Sequence, residues 1–94
     1  MSVRNGTFTT TASVLSMENQ PWPYSVSVIP GSGDTIKIEF STTQQAAENP
    51  GSATWQPVAS GVTTITNYPS IAKCTALRFT QTAGSNTDKY EIVT

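Results

Sequence analysis

The stretch of residues 24–40, YSVSVIPGSGDTIKIEF, decides the fold class of this chain. Apolar residues occupy every second position on both sides of a central turn, at Tyr24, Val26, Val28, Ile36, Ile38 and Phe40. Successive side chains of a strand point to opposite faces, so this period of two predicts two half-buried strands. Residues 30–34 contain a proline and two glycines, which are typical of a tight turn. We therefore expect a β-hairpin, with Lys37 and Glu39 facing water.

The same kind of pattern recurs along the rest of the chain. Further strands are predicted at residues 7–15, 53–59, 62–66, 75–80 and 90–93, with turns at 60–61, 67–70 and 83–86. Pro57 indicates an edge strand, and residues 44–48 have room for one helical turn. Short strands at this spacing are typical of an antiparallel β-sandwich. We expect an all-β, jelly-roll-like sandwich of seven or eight strands over residues 7–94, preceded by a flexible N-terminal arm at residues 1–6.

The composition agrees with an all-β domain. The chain has 94 residues, of which 36% are hydrophobic and 12% charged. Sixteen threonines and eleven serines make up over a quarter of it. Threonine is β-branched and favours strands, while serine is common in turns. At this length a single domain is expected.

Charge and residue types argue against several classes of function. The formal net charge is −1, and the five basic residues are scattered, whereas nucleic-acid binding needs a concentrated basic face. No apolar run is long enough for a membrane helix. The chain has no histidine and one cysteine, Cys74, which reads as a small buried hydrophobe or a passive thiol. We therefore expect no nucleic acid, no membrane, no metal and no cofactor, and a protein made in a reducing compartment.

Catalysis is also not expected from the sequence. Serine and threonine need a base to become nucleophiles, and the lysines lie in polar stretches typical of a solvated surface. The six acidic residues lie mostly in turns or face outward. A chance pairing of two carboxylates stays open, but a sandwich this small offers little cleft for a sugar. Asp34 alone comes near the pattern of a calcium loop, which needs several acids close together.

The aromatic residues divide into core and candidate contact residues. Phe40, Phe79 and Tyr90 are predicted to lie in the core. Trp22 lies between Pro21 and Pro23 in an extended segment. Its ring either closes one end of the sandwich or is presented to a partner, and both interpretations remain open.

The second half of the chain carries a pattern found in a known class of proteins. The pieces that carry it are residues 36–41 (IKIEFS), Thr54-Trp55, residues 76–80 (ALRFT), Ala83-Gly84 and residues 90–93 (YEIV). In this order they resemble the small β-domains of tailed-phage virion proteins, nearest to capsid decoration or cement proteins. The resemblance implies a non-enzymatic structural protein, made in the bacterial host cytoplasm and located on the outer surface of the head. Its implied partner is the major capsid protein, whose subunits it would bridge, and it would form a dimer or trimer.

Two other functions remain open, a tail- or baseplate-associated module and a carbohydrate-binding sandwich. In the second case Trp22, Tyr24 or Trp55 would stack on sugar rings. Exposure and rigidity single out a set of residues as the candidate capsid or subunit interface. They are Ser2, Val3, Arg4, Asn5 and Phe8 near the N-terminus, Trp22 and Tyr24 in the proline-flanked segment, and Gln44, Gln45 and Glu48 in the polar loop.

Overall fold

The computed structural model describes residues 3–9 and 12–94 and contains eight β-strands. The strands are β1 (Val3–Phe8), β2 (Ser13–Ser16), β3 (Ser25–Ile29), β4 (Thr35–Ser41), β5 (Gln56–Val62), β6 (Thr66–Tyr68), β7 (Ala76–Ala83) and β8 (Asp88–Val93). A short 3-10 helix spans Pro50–Ser52. Within the described ranges, no helix is long and apolar enough to cross a membrane.

The strands form two four-stranded antiparallel sheets, β1-β8-β3-β6 and β2-β7-β4-β5. The first half of the chain pairs with the second half in reverse order, β1 with β8, β2 with β7, β3 with β6 and β4 with β5. The chain is therefore a long antiparallel ribbon rolled into two sheets, and the β3–β8 and β4–β7 pairs complete each sheet. This is a jelly roll, so the predicted all-β sandwich of seven or eight strands is confirmed.

The core lies between the two sheets and follows the predicted alternation. Ile36 and Ile38 are fully buried, whereas Lys37 and Glu39 form an ion pair on the outer face, with Nζ 3.7 Å from Oε1. Three aromatic rings from different strands stack at the centre of the core. Phe79 lies 5.0 Å from Tyr90 and 5.8 Å from Phe8 between ring centroids. Such stacked pairs add stability beyond the area they bury.

The hairpin predicted within residues 24–40 is wrong, although both of its strands exist. The strand β3 pairs with β6 and β8, whereas β4 pairs with β5 and β7 in the other sheet. The turn at residues 30–34 carries the chain from one sheet to the other. The alternation of apolar residues shows which face of a strand is buried. The same alternation is found whether the next strand in the chain pairs with it in one sheet or lies in the opposite sheet.

The expected N-terminal arm and first strand are also corrected. Residues 3–6, expected in a flexible arm, belong to β1, which pairs with β8 from Val3 opposite Val93 to Phe8 opposite Asp88. The strand predicted at residues 7–15 is two strands in different sheets, the end of β1 and the whole of β2. Residues 1, 2, 10 and 11 lie outside the described residues. Threonine favours extended backbone, so a run of threonines gives no sign of where one strand ends and the next begins.

Two further boundaries differ from the prediction. Ser60 and Gly61, predicted as a turn, lie inside β5, where an extra residue opposite β4 forms a β-bulge and Gly61 has a φ of 72°. A positive φ suits glycine, which is common in bulges. Residues 66–68, predicted as a strand end and a turn, form β6. Pro57 does lie in an edge strand, as predicted, because β5 ends its sheet.

Candidate binding surface and buried polar cluster

Three loops meet at one end of the sandwich, which we call the Trp22 end. They are residues 17–24 between β2 and β3, residues 42–55 between β4 and β5, and residues 69–75 between β6 and β7. Thr75 joins all three loops. Its carbonyl accepts a hydrogen bond from Met17 N at 2.8 Å, its N–H donates to Ser41 O at 2.8 Å, and its hydroxyl donates to Thr43 O at 2.6 Å. These bonds fix the loops against one another.

Trp22 is exposed at this end but is held in one position. Half of its surface is exposed, and its indole Nε1 donates a hydrogen bond to Ile71 O at 2.8 Å. The flanking prolines are exposed, and the Trp22-Pro23 peptide bond is cis. The hydrogen bond to Ile71 O orients the indole ring, and half of its surface faces solvent. Of the two interpretations left open by the sequence, this geometry fits presentation to a partner.

Tyr24 does not belong to the candidate interface. It is fully buried, and its hydroxyl donates to Cys74 O at 3.4 Å. Burial, with a smaller effect from the nearby Cys74, raises the pKa of Tyr24. The tyrosine starts the inward alternation that continues through Val26 and Val28, so its ring packs into the core.

A shallow cleft of about 760 Å³ lies between the first and third loops. Its lining residues are Met17, Glu18, Asn19, Gln20, Pro21, Tyr24, Lys73, Cys74 and Thr75. Burial raises the pKa of the Cys74 thiol to about 11, so the thiol stays protonated near neutral pH. A protonated, buried thiol is a poor nucleophile, which agrees with the passive role predicted for Cys74.

The structure brings several of the other candidate interface residues to the same end. Gln44, Gln45 and Glu48 are exposed in the second loop. Gln45 N donates to Glu18 Oε1 at 2.8 Å, so this loop is joined to the loop that carries Trp22. Arg4 also reaches this end, where its Nη1 donates to Ser16 O at 2.7 Å.

The remaining N-terminal candidates are separated from this surface. Val3 lies at the Trp22 end of β1 and is 54% exposed, while Asn5 is exposed in the middle of the strand. Phe8 is 5% exposed and stacks on Phe79, so its prediction as an interface residue is wrong. Phe8 is the last residue of β1 and points into the core. The prediction of one strand over residues 7–15 did not show that a strand ends there. Ser2 lies outside the described residues.

Trp55 is committed to contacts within the chain. The guanidinium of Arg78 lies 4.3 Å from the centre of its ring, and its Nε1 donates to Pro50 O at 3.0 Å. Arg78 also forms an ion pair with Glu39, with Nη2 2.8 Å from Oε1. One face of the Trp55 ring is therefore covered, and among the three aromatic residues proposed for sugar stacking Trp22 is the most exposed.

A buried polar cluster lies at the opposite end of the sandwich and was missed by the sequence analysis. Gln81 Nε2 donates to Asp34 Oδ2 at 3.0 Å, to Asp88 Oδ2 at 2.6 Å and to Asn86 O at 2.7 Å. Asp34 and Asp88 are 1% and 0% exposed. Burial raises the pKa of Asp88, whereas the hydrogen bond with Asp88 lowers the pKa of Asp34. Of the two carboxyl groups, Asp88 is therefore the one that is protonated more readily as the pH falls.

This cluster joins two loops rather than offering a reactive site. Asp88 Oδ1 accepts from Gly31 N at 2.7 Å, and Asp34 Oδ1 accepts from Asn86 N at 3.3 Å. Gly84 has a φ of 98°, and a Cβ there would collide with the Asp34 carboxylate. Both carboxylates are out of reach of a substrate. Among residues 3–9 and 12–94, no three His, Cys, Asp or Glu side chains are grouped as for a metal ion.

A sequence signal for the cluster does exist. Asp34 lies two residues before Ile36, the first of the inward residues Ile36 and Ile38. Asp88 lies two residues before the inward residue Tyr90. Gln81 follows Phe79 at the same spacing. Each polar residue thus continues the inward face of its strand, and extending the period by one step would have placed all three in the interior.

Comparisons with known proteins found no family model, no curated protein and no solved structure that matches this chain.

Proposed function

We propose that this chain is a non-enzymatic structural protein of a tailed-phage virion, nearest to a capsid decoration protein. In this role it binds the outer surface of the head and bridges major capsid subunits. The observation that carries the proposal is the Trp22 end, where a fixed and half-exposed tryptophan stands among three loops joined by hydrogen bonds. Tryptophan is frequent among residues that dominate binding energy, and a surface ordered before binding loses less entropy on association.

The fold and the resemblance support the same interpretation. Jelly rolls are common in viral capsid and lectin domains, which is an analogy at the level of fold. The segments that resemble virion proteins lie in β4, β7 and β8 and just before β5. They include the buried residues Ile38, Leu77 and Phe79, so the resemblance concerns the framework of the sandwich. The contact surface is carried by the loops, as is usual for binding residues on a rigid scaffold.

Weak contacts suffice for a decoration role because the capsid lattice repeats. Many copies on neighbouring subunits act together, so the protein needs only a modest surface on each subunit. The Trp22 end carries an exposed apolar ring on its first loop and exposed polar side chains on its second loop, Gln44, Gln45 and Glu48. An apolar centre inside a polar rim is the common anatomy of protein interfaces.

Binding to isolated capsid shells tests the proposal. Shells of the phage that lack this chain are mixed with purified protein and sedimented, and the bound fraction is measured. Trp22→Ala is expected to reduce binding at least about tenfold, in the range of an interface anchor. Ile65→Ala is the matched control, since Ile65 is 74% exposed at the opposite end.

Stability must be separated from binding in this experiment, because half of the Trp22 side chain is buried. Binding is measured well below the melting temperature of each variant. Gln44→Arg examines the same surface from an exposed loop position and leaves the core untouched. Shell binding by Trp22→Ala and Gln44→Arg at the wild-type level would contradict the proposal.

Carbohydrate binding is a second candidate function, favoured by one specific observation. The open ring of Trp22 lies in the loop that lines the cleft, where Glu18, Asn19 and Lys73 supply polar groups. An exposed aromatic ring and the polar side chains of the cleft are the kinds of groups that bind a sugar ring. A glycan array with wild-type protein and Trp22→Ala examines this function. Wild-type binding that is lost in the variant would favour it over a capsid contact.

A further inference from the structure

The four edge strands of the sandwich differ in how well they are protected against pairing with another chain. The edges are β1 and β6 in one sheet and β2 and β5 in the other. Natural sheets protect their edges with short strands, prolines, bulges or charges. β6 has three residues and β2 has four, and β5 carries Pro57 and the bulge at Gly61.

β1 lacks these forms of protection. It has six residues, contains no proline, and pairs with β8 in an unbroken register. Among the described residues, β8 is its only strand partner. Its one charged residue, Arg4, is held by Ser16 O of β2 and does not guard the edge. β1 is therefore the longest regular edge of the sandwich that is open to pairing.

We propose that β1 is a self-association surface, on which a second copy of this chain adds its own β1 in antiparallel orientation. The two sheets would then form one continuous eight-stranded sheet across a two-fold axis. This inference goes beyond the proposed function and does not depend on capsid binding, since it rests on the backbone edge of β1, whereas the proposed capsid contact rests on the loops around Trp22.

The sequence of β1 fits this pairing in one register in particular. Because side chains alternate between faces, the inner and outer faces of the two copies match only in every second register. With Asn5 opposite Asn5 on the axis, Val3 lies opposite Thr7, and Arg4 lies opposite Gly6. No like charges meet in this register, because Arg4 is the only charged residue of the strand and lies opposite a glycine.

The neighbouring registers of the same parity are less favourable. A shift that places Arg4 opposite Arg4 brings two guanidinium groups together, and like charges directly opposite each other destabilise a sheet. A shift that places Gly6 opposite Gly6 sets Arg4 against Phe8, which is already buried in the core. The side chains of Val3, Asn5 and Thr7 are exposed on the outer face, so they are free to meet a second copy.

Cysteine cross-linking tests both the interface and its register. In the Asn5→Cys variant the two new thiols lie opposite each other on the axis, at a spacing close to that of a disulfide. We expect a covalent dimer under mild oxidation. Thr7→Cys is the matched control on the same strand and face, because its thiol lies opposite Val3 instead of another thiol. The native Cys74 is buried and present in both variants, so any cross-linking through it contributes equally to both.

Sedimentation velocity measures the non-covalent dimer. Backbone pairing over five residues is weak alone, so the concentration series extends to about 1 mM, where a dimer held by about 4 kcal/mol is half formed. Asn5→Lys places two ammonium groups opposite each other and should raise the dimer Kd by about tenfold. Ser60→Lys adds the same charge on the protected edge β5 and should leave Kd unchanged.

Three results would overturn the proposal. The first is a wild-type protein that sediments as a monomer at every concentration and whose Asn5→Cys variant does not cross-link. The second is an Asn5→Lys dimer as tight as wild type, which would place the interface elsewhere. The third is cross-linking of Thr7→Cys as efficient as that of Asn5→Cys, which would exclude the register.

Discussion

Replacing Phe8 by alanine tests whether the N-terminal segment is a strand of the sandwich or an arm beside it. Phe8 is 5% exposed, and its ring lies 5.8 Å from Phe79 and 6.4 Å from Tyr90. If β1 is part of the domain, Phe8→Ala removes one ring of the central aromatic stack. In an arm, the same change would be nearly silent.

The expected loss is large compared with the stability of a domain of this size. Replacing a buried phenylalanine by alanine costs about 3–5 kcal/mol, which includes the cavity left behind. A domain of this length is stable by about 5–14 kcal/mol in total. Because about 1 kcal/mol shifts the midpoint of a small domain by about 4–8 °C, Phe8→Ala should melt at least about 12 °C below wild type.

Val3→Ala is the control on the same strand. Val3 is 54% exposed, and a surface substitution of this kind changes the free energy of unfolding by about 0.5 kcal/mol. Thermal and urea unfolding followed by far-UV circular dichroism measure both variants. Equal melting temperatures for Phe8→Ala, Val3→Ala and wild type would refute the assignment of β1 to the sandwich. The same reasoning predicts that deleting residues 3–8 unfolds the domain, whereas removal of an arm would leave it folded.

Three further predictions concern the buried carboxyl cluster and the buried thiol. Gly84→Ala should lower the free energy of unfolding by about 1–3 kcal/mol in urea titrations, because its positive φ and the nearby Asp34 carboxylate exclude a Cβ; wild-type stability would contradict this. Burial raises the pKa of Asp88 above that of an unfolded aspartate, which is about 4. The contribution of Asp88 to the free energy of unfolding is therefore fully present below about pH 4 and is lost as the pH rises through the folded pKa. Asp88→Asn should remove this part of the decline above about pH 4, and an unchanged pH dependence of the urea midpoint would count against it. The Cys74 thiol, with its pKa raised to about 11, should react slowly with a disulfide reagent at pH 7 and rapidly in urea, and fast labelling of the folded protein would contradict its burial.

Sequence periodicity predicted which side chains are buried better than it predicted which strands are neighbours. The alternation at Ile36 and Ile38 predicted the inner face of β4, and that at Leu77 and Phe79 predicted the inner face of β7. Neither pattern indicates whether the preceding strand lies beside it or across the core. The turn at residues 30–34 is compatible with both arrangements, so the predicted hairpin did not follow from local chemistry.

The proposed contact surface was predictable only in part for a related reason. Trp22 could be singled out because prolines on both sides keep it out of a central strand. That the loop with Gln44 and Gln45 is joined to the loop with Trp22 depends on the hydrogen bond from Gln45 N to Glu18 Oε1, which no local pattern reveals. Tyr24 and Phe8 were assigned to the interface although both lie in segments predicted as strands, because Tyr24 adjoins the proline-flanked Trp22 and Phe8 adjoins the expected arm. Once their strands are known, both residues fall on inner faces.

Quantitative mass spectrometry of purified particles tests the proposed decoration role most directly. The quantity measured is the number of copies of this chain relative to the major capsid protein. A decoration protein is expected at a ratio near one per capsid subunit, or at a simple fraction of it. A handful of copies per particle would contradict decoration and favour a tail or baseplate location, and absence from the particles would contradict any virion role.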